Sequence, residues 1–245
     1  MTVSLTTMRL SRPRGSNDAV SCSRRRSGAE DMSNRIIDIS PVISERIGVW
    51  PGDVPYERSI TCRLEDGDSV GLSSIRTTLH VGAHTDAPSH YRQGSEGIGS
   101  RKLERYYGVC QVVRVELPRG ERIYPDHCQA PIRAQRVLFC TGSFPDPNHF
   151  NEDFNSLSPE LVAWLYDQGV RLIGIDTPSV DPVHSKALES HNALADRDMA
   201  VLEGVVLDHV EPGVYTLIAL PLRLEGADAS PVRAVLLAAE EPQSS

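Results

Sequence analysis

Short apolar runs rich in Val, Ile and Leu recur along the chain from about residue 36, and polar residues, Gly or Pro separate them. Runs of this length and β-branched content predict β-strands. In chain order, the predicted strands cover residues 36–39, 109–117, 136–141, 171–176, 199–207, 215–220 and 232–238. Strands therefore outnumber helices in the predicted fold.

One helix is well marked by its two ends. Ser158 and Pro159 supply an N-cap and a first-turn proline before the apolar residues of 161–168, and Gly169 closes the run. Predicted strands flank this helix, which indicates a βαβ unit with a right-handed crossover. A second helix is expected over 185–195. Together these elements predict an α/β domain built on a mixed, curved, barrel-like sheet with a few covering helices.

Length and composition indicate one domain. The chain has 245 residues, 40% of them apolar, which is enough for one substantial core, so we expect a single domain over residues 35–240 and a short tail at 241–245. Residues 1–34 are rich in Ser, Thr and Arg, which predicts a disordered N-terminal extension. The same composition is typical of an organelle transit peptide, and Met32 permits a third interpretation, an over-extended translation start.

Charge and cysteine content narrow the class of protein. The formal net charge of −8 argues against nucleic acid or an anionic membrane as the principal partner, because both attract clustered Lys and Arg. No apolar run approaches the roughly 18 residues that a transmembrane helix needs. The five cysteines form no C-x-x-C pair, so we expect reduced thiols in a cytoplasmic protein. The expected partner is a small-molecule substrate.

The candidate chemistry is concentrated between His80 and His90. Three of the eight histidines of the chain, together with Asp86, lie within these eleven residues, in the pattern H-x-G-x-H-x-D-x-P-x-H. Imidazole and carboxylate are ligands that zinc prefers, and zinc with an open coordination position activates water for hydrolysis. The segment therefore indicates a metal-dependent hydrolase.

The same segment cannot be one straight strand. Four residues at roughly 3.3 Å each would hold His80 and His84 about 13 Å apart, which is too far for two ligands of one zinc ion. Gly82 and Pro88 both disfavour a helix. We therefore expect a strand over about 74–80, followed by a turn at Gly82 that folds the ligands together.

Three residues elsewhere in the chain have more than one interpretation. Glu203 lies in the apolar run 199–207, where it either faces solvent, serves a cation or becomes neutral, because an unpaired buried carboxylate is costly. His191 precedes that run and is either an ordinary structural histidine or a ligand of the same site. Trp50 lies on a predicted turn and is either folded over the edge of the core or exposed as a stacking wall for an aromatic substrate.

In combination, these motifs resemble the cyclase family of metal-dependent hydrolases. The histidine pattern is followed by Gly-Ile-Asp-Thr-Pro-Ser, by His191, and by Glu203 within Val-Leu-Glu-Gly. The resemblance runs from about residue 35 to residue 237 and implies a swivelling β/α/β fold and a homodimer. Ala83 stands where many members of the family have Thr, which is not a ligand position.

Within that family, the chain resembles the arylformamidase branch, which acts on N-formyl-L-kynurenine. The stretches that carry this closer resemblance are Trp50-Pro-Gly-Asp, 151–154, 169–182 and 202–208. The resemblance implies two zinc ions, with manganese as a possible substitute. His80 and His84 would bind the first ion and His191 the second, while Asp86 and Glu203 would be shared between them.

The resemblance also implies a role for two further residues. His90 would carry a proton during the reaction rather than bind metal, and Trp50 would line the substrate pocket. Metal-activated water would then hydrolyse N-formyl-L-kynurenine to L-kynurenine and formate, a step of tryptophan degradation. Two alternatives stay open: a related amidohydrolase that opens cyclic amides such as isatin, and a non-catalytic module with a structural zinc, although structural sites are usually closed and rich in cysteine.

Overall fold

A seven-stranded mixed sheet is the framework of residues 36–238, the part of the chain that the computed structural model describes. The strands, in chain order, are β1 (Ile36–Asp38), β2 (Glu57–Cys62), β3 (Leu72–Arg76), β4 (His84–Asp86), β5 (Tyr107–Arg114), β6 (Arg122–Ile123), β7 (Arg136–Cys140), β8 (Ser156–Leu157), β9 (Leu172–Ile175), β10 (Ala200–Leu202), β11 (Gly213–Ile218), β12 (Ala229–Pro231) and β13 (Val235–Ala238). The α-helices are α1 (Pro159–Asp167) and α2 (Glu189–Asp196). The predicted extension at 1–34 and the predicted tail at 241–245 lie outside the described residues.

The order of the main sheet is β1-β13-β11-β5-β7-β9-β10. Strands β1, β13, β11 and β5 pair antiparallel, whereas β5, β7, β9 and β10 pair parallel. All residues of β7 and β9 are buried, as expected of parallel strands covered on both faces, and this explains why both appear as unbroken apolar runs in the sequence. The prediction of an α/β domain on a mixed, curved sheet with few helices is confirmed.

Alternate residues of the central strands point to opposite faces of the sheet and divide the core into two clusters. Phe139 belongs to the cluster that the helices cover, where it packs with Leu161. Leu138 belongs to the other cluster, which includes Ala83 and Ala87. The histidine segment therefore lies on the face of the sheet opposite the two helices.

Helix α1 forms as its sequence predicts. The hydroxyl of Ser158 accepts a hydrogen bond from the backbone N–H of Leu161 at 3.0 Å, and Pro159 occupies the first turn. The helix lies between β7 and β9 in the chain, and these strands are parallel neighbours in the sheet. The predicted βαβ unit is thereby confirmed.

Among residues 36–238, no helix has the length and hydropathy needed to cross a membrane.

Helix α2 begins later than the sequence predicts, at Glu189 rather than at Ser185. The hydroxyl of Ser185 accepts a hydrogen bond from the N–H of Leu188 at 3.0 Å and closes a local turn. Leu188 itself has a left-handed φ of 47°, which no α-helix accommodates, so the helix starts after it. His191 nevertheless lies on the first turn of α2, as expected.

Several predicted strands are shorter in the structure, and two of them lead into the candidate site. The strand expected over 74–80 is β3, which ends at Arg76 opposite Glu57, the first residue of its partner β2. Two residues before Glu57, Pro55 has no N–H with which to extend the ladder. The strand expected over 199–207 is β10, which ends at Leu202 because the chain then turns through Gly204, with a φ of 66°.

Candidate metal centre

The histidine segment turns where the sequence predicts. Gly82 has a φ of 59°, and a Cβ atom there would approach Pro41 at 3.1 Å. Beyond this turn, His84 and Asp86 lie at the two ends of β4, which is three residues long. β12 pairs antiparallel with one edge of β4, and Glu203 bridges to His84 at the other. The short strand is thus fixed from both sides.

Five side chains converge at this strand, and they are the five that the family resemblance assigns to metal binding. Four of them, His84, Asp86, His191 and Glu203, are no more than 3% exposed, and His80 is partly buried. They form two groups in which candidate ligand atoms lie within 4.8 Å of one another: the first comprises His80, His84 and Asp86, and the second comprises Asp86, His191 and Glu203.

Each of the two carboxylates presents one oxygen to each group. Asp86 Oδ1 lies 3.0 Å from His80 Nδ1, while its Oδ2 lies 3.5 Å from His191 Nε2. Glu203 Oε2 lies 3.1 Å from His84 Nε2, while its Oε1 lies 3.5 Å from His191 Nε2. This arrangement can bridge two cations, because a carboxylate carries a negative charge and two separate donor oxygens. The alternative that Glu203 faces solvent is wrong.

Two buried atoms at the centre of the cluster have no hydrogen-bond partner, and this shows whether these residues suit a metal ion. Asp86 Oδ1 and His191 Nε2 are both buried and have no hydrogen-bond partner, since the contacts around them lack hydrogen-bond geometry. Burying such atoms without partners costs on the order of 1–3 kcal/mol each. Both atoms are of the types that bind zinc or manganese, and both point into the cluster. The donor set fits divalent cations.

The charges of the cluster fit the same conclusion. Burial raises the pKa of Asp86, but the neighbouring His191 and His80 outweigh burial and hold this pKa well below its usual range. Burial lowers the pKa of His80, but the adjacent carboxylate of Asp86 outweighs burial and raises the pKa to about 9. Nearby carboxylates likewise raise the pKa of His191, so without metal both His80 and His191 tend to hold a proton. A divalent cation would supply positive charge in place of those protons.

Asp181, which the sequence did not single out as a site residue, holds His191 in place. Its Oδ2 accepts hydrogen bonds from His191 Nδ1 at 2.8 Å and from the backbone N–H of His191 at 3.0 Å. Arg122 Nη1 lies 3.2 Å from the other oxygen of this fully buried carboxylate. The contact with Nδ1 leaves Nε2 free to face the cluster, which is the arrangement usual for metal-binding histidines.

His90 and a second unpredicted carboxylate, Asp228, lie at the edge of the cluster. Asp228 Oδ2 accepts hydrogen bonds from His80 Nε2 at 2.9 Å and from His90 Nδ1 at 3.3 Å. His90 Nε2 points the other way and lies 4.0 Å from Asp86 Oδ2. The side chain of His90 is 35% exposed, far more than that of His84 or His191. His90 therefore lies where the buried cluster meets solvent.

A cavity of about 550 Å³ opens onto the cluster. Trp50 and Phe150 form part of its apolar wall, and their rings pack edge to face at a centroid distance of 5.5 Å. Trp50 is partly buried: it packs edge to face against Phe150 and Phe154 and also borders the cavity.

Two other histidines make hydrogen bonds away from this site. His127 contacts Tyr124, and His209 contacts Asp38.

Comparison with known proteins places the chain among enzymes. The Cyclase family model matches residues 37–182. Kynurenine formamidase of Bordetella avium is 47% identical over 204 residues, which cover 82% of this chain and 97% of that protein. Kynurenine formamidase of Bordetella pertussis is 45% identical over 205 residues, with the same coverage of 82% and 97%.

Solved structures share the fold. A structure described as a potential metal-dependent hydrolase with cyclase activity superposes with a TM-score of 0.73 and 26% identity, covering 85% of this chain and all of that one. Isatin hydrolase A from Labrenzia aggregata superposes with a TM-score of 0.72, covering 87% of this chain and 97% of that one, at 20% identity. The second likeness concerns the fold alone.

Proposed function

Since the chain belongs to the cyclase family of metal-dependent hydrolases, we propose that it hydrolyses N-formyl-L-kynurenine to L-kynurenine and formate. The chain is a hydrolase of this family, and the kynurenine formamidases that it resembles match it over most of their length. The observation that carries the proposal is the arrangement of Asp86 and Glu203. Each carboxylate presents one oxygen to each of two groups of histidines, and an aromatic-walled cavity opens onto them.

We propose two zinc ions as the resident metals, with manganese as a substitute, since histidine and carboxylate ligands accept both. His80 and His84 would hold the first ion, His191 the second, and Asp86 and Glu203 both. Bound there, the ions would lower the pKa of water toward neutrality and polarise the formyl carbonyl. The unpartnered atoms Asp86 Oδ1 and His191 Nε2 support this assignment.

His90 is proposed as the proton carrier. Its Nε2 faces the cluster while its Nδ1 is engaged by Asp228, so one nitrogen is available to the reacting groups. In the reaction, an oxygen–carbon bond forms to the formyl carbon and the bond from that carbon to the aryl nitrogen breaks. His90 would accept the proton that the attacking water loses and deliver it to the departing amine. Formate and the free aryl amine result.

Trp50 is proposed to contact the aromatic ring of the substrate. An indole on the cavity wall, supported edge to face by Phe150, is a rigid apolar surface of the size that an aryl ring covers. This assignment depends on the cavity lying directly against the metal ligands, because the formyl group is attached to the aryl ring through a single nitrogen. A bound substrate would then place its ring near Trp50 and its formyl carbon near the cluster.

Assembly as a homodimer in the cytoplasm is also proposed. The hairpin of β2 and β3 exposes Ile60, Leu72 and Ile75, whose exposed fractions are 42%, 54% and 64%. Ile60 and Ile75 share one face of the hairpin, since Ile60 pairs with Ser73 and Ile75 lies two residues further along that strand. Exposed apolar side chains on one face support burial against a second copy of the chain. Sedimentation of the wild-type protein beside Ile75→Glu tests this: the wild type is expected as a dimer and the variant as a shifted equilibrium, whereas a monomeric wild type would contradict it.

The substrate assignment is tested by supplying N-formyl-L-kynurenine and isatin to the same metal-loaded preparation. We expect kcat/KM to favour N-formyl-L-kynurenine by at least about 100-fold, because polar groups placed for one substrate discriminate strongly against another. A preference for isatin would replace the proposed substrate with a cyclic amide and leave the metal site intact.

A further inference from the structure

Asp228 joins two histidines that the proposed mechanism uses differently. Its Oδ2 accepts a hydrogen bond from His80, a proposed ligand, and one from His90, the proposed proton carrier. We propose that Asp228 is a positioning residue that fixes the orientation and the tautomer of His90, so that its Nε2 faces the reacting groups. This inference rests on the proposed function and adds to it a residue that neither the motif nor the ligand set contains.

The backbone holds Asp228 against the metal-binding strand. The carbonyl of Asp228 accepts a hydrogen bond from the N–H of Ala87 at 2.8 Å. The next residue, Ala229, pairs with Asp86 in the ladder of β12 and β4. The main chain of Asp228 is therefore anchored directly to Ala87 and, through the pairing of Ala229, to Asp86. Its carboxylate approaches the histidines from a fixed point and not from a mobile loop.

His90 itself lacks such an anchor for its ring. It lies in a single 3₁₀ turn, Pro88–His90, and its side chain is 35% exposed. Within residues 36–238, the hydrogen bond that the ring makes is the one to Asp228. The ring of His80 lies beside it with centroids 4.2 Å apart, which restricts one face but does not select a nitrogen. The carboxylate of Asp228 makes that selection.

The selection follows from the chemistry of the two groups. An ionised carboxylate only accepts hydrogen bonds, so the His90 nitrogen that faces it carries a hydrogen. In the neutral ring, the other nitrogen, Nε2, then has a free lone pair, and it faces Asp86 across 4.0 Å. Such a ring takes a proton at Nε2 and returns it from the same atom. An aspartate that orients a catalytic histidine in this way contributes through the tautomer and the stabilised imidazolium.

Asp228→Asn is the direct test, because the amide keeps the shape of the side chain but lacks the negative charge that stabilises the protonated ring of His90. We expect kcat for N-formyl-L-kynurenine to fall by about 10–100-fold, the usual effect of losing such a supporting partner, with metal content unchanged. Asp126→Asn, at a carboxylate that is 82% exposed and outside the cavity, is the matched control and should retain wild-type activity.

A second substrate separates positioning of His90 from a general structural effect. The nitrophenolate released from 4-nitrophenyl formate needs no proton, so with this ester His90 only accepts the proton of the attacking water, and Asp228→Asn should lower its kcat by a smaller factor than the kcat for N-formyl-L-kynurenine. In a His90→Ala background, Asp228→Asn should cause little further loss, because the two residues act as a unit. Equal losses on both substrates, additive losses in the double variant, or loss of metal would each overturn the assignment.

Histidine ¹⁵N NMR supplies a readout that does not depend on turnover. We expect His90 of the metal-loaded wild type to carry its hydrogen on Nδ1, and Asp228→Ala, which removes the acceptor, to move part of it to Nε2. A wild-type ring protonated on Nε2 alone would contradict the positioning role. If the wild type releases no formate from N-formyl-L-kynurenine, the proposed function fails by itself, whereas an active wild type with an Nε2 hydrogen on His90 refutes only the role of Asp228.

Discussion

His84 and Glu203, far apart in the sequence, exchange two backbone hydrogen bonds, from His84 N–H to the Glu203 carbonyl at 3.0 Å and from Glu203 N–H to the His84 carbonyl at 2.9 Å. Their side chains meet at 3.1 Å on the same side of this bridge. The main chain therefore brings the histidine segment to the distant carboxylate, and the side chains are free to serve a cation.

Gly204 is the residue on which this bridge depends for space. Its φ is 66°, and a Cβ atom there would lie 2.3 Å from the backbone oxygen of Gly82. Gly226 has a similar φ of 68° with nothing within 4 Å of the corresponding position, so it is a matched control. Both changes to Ala incur the left-handed penalty of roughly 1–2 kcal/mol, and we expect Gly204→Ala to cost about 1–3 kcal/mol more through the clash.

Urea unfolding of the metal-loaded proteins measures this difference in the free energy of unfolding. The Gly204→Ala variant should also bind metal more weakly, because relief of the clash must separate the two turns that carry the ligands. Equal stability of the two glycine variants would show that the turns at Gly82 and Gly204 are not in the contact described.

His80→Ala and His90→Ala should affect different properties, the first the metal content and the second the turnover. His80→Ala is expected to weaken or empty the metal site, because it removes a donor atom 3.0 Å from Asp86. His90→Ala is expected to retain the metal and to lower kcat by about 10²–10⁴-fold, the range for loss of a general acid–base group. Metal analysis beside formate release checks both. Metal loss in His90→Ala would instead make His90 a ligand.

Asp181→Asn tests the support of His191. The carboxylate is fully buried and accepts hydrogen bonds from the ring and the backbone of His191, so loss of its charge weakens the ring as a ligand. We expect metal affinity to fall by about 10–100-fold. Competition with a chelator of known affinity measures the change, and Asp126→Asn serves again as the exposed control. Unchanged affinity would mean that Asp181 only anchors the start of α2.

Removal of the metal should make stability depend on pH. The folded-state pKa of His80 is about 9, above its ordinary value of 6.5, so its protonation stabilises the metal-free fold fully below about 6.5 and this contribution disappears as the pH rises through 9. The unfolding midpoint of chelator-treated protein should therefore fall between pH 7 and pH 9. The metal-loaded protein should not show this fall, because its His80 is already deprotonated. Parallel pH profiles for the two forms would contradict the account.

Much of the fold could be predicted because local pattern determines it. Unbroken apolar runs identified β7 and β9, and the cap at Ser158 identified α1. By contrast, β4 and β12 are only three residues long and exist through pairing with each other, so no local periodicity marks them. β2 could not be predicted, since it has neither a buried face nor the alternation that indicates one, whereas its partner β3 is expected, with other bounds, as the strand leading to His80.

The residues of the site likewise fall into those that the sequence identified and those that it did not. Spacing identified the histidine segment, and the apolar run around Glu203 made it and the preceding His191 candidates. The family motif then assigned both to the same site as the histidine segment. Asp181 and Asp228 were missed as site residues because an isolated aspartate carries no pattern in a sequence. Their roles depend on contacts of 2.8–3.3 Å with histidines, which are ten residues away for Asp181 and well over a hundred residues away for Asp228, and these contacts exist only in the folded chain.

Formate release from N-formyl-L-kynurenine, followed while zinc is titrated into chelator-stripped protein, tests the central claim most directly. The account predicts no turnover without metal, and activity that rises to a plateau at two equivalents of zinc per chain. Full activity in the stripped protein, or saturation of the site with zinc without any release of formate, would contradict it.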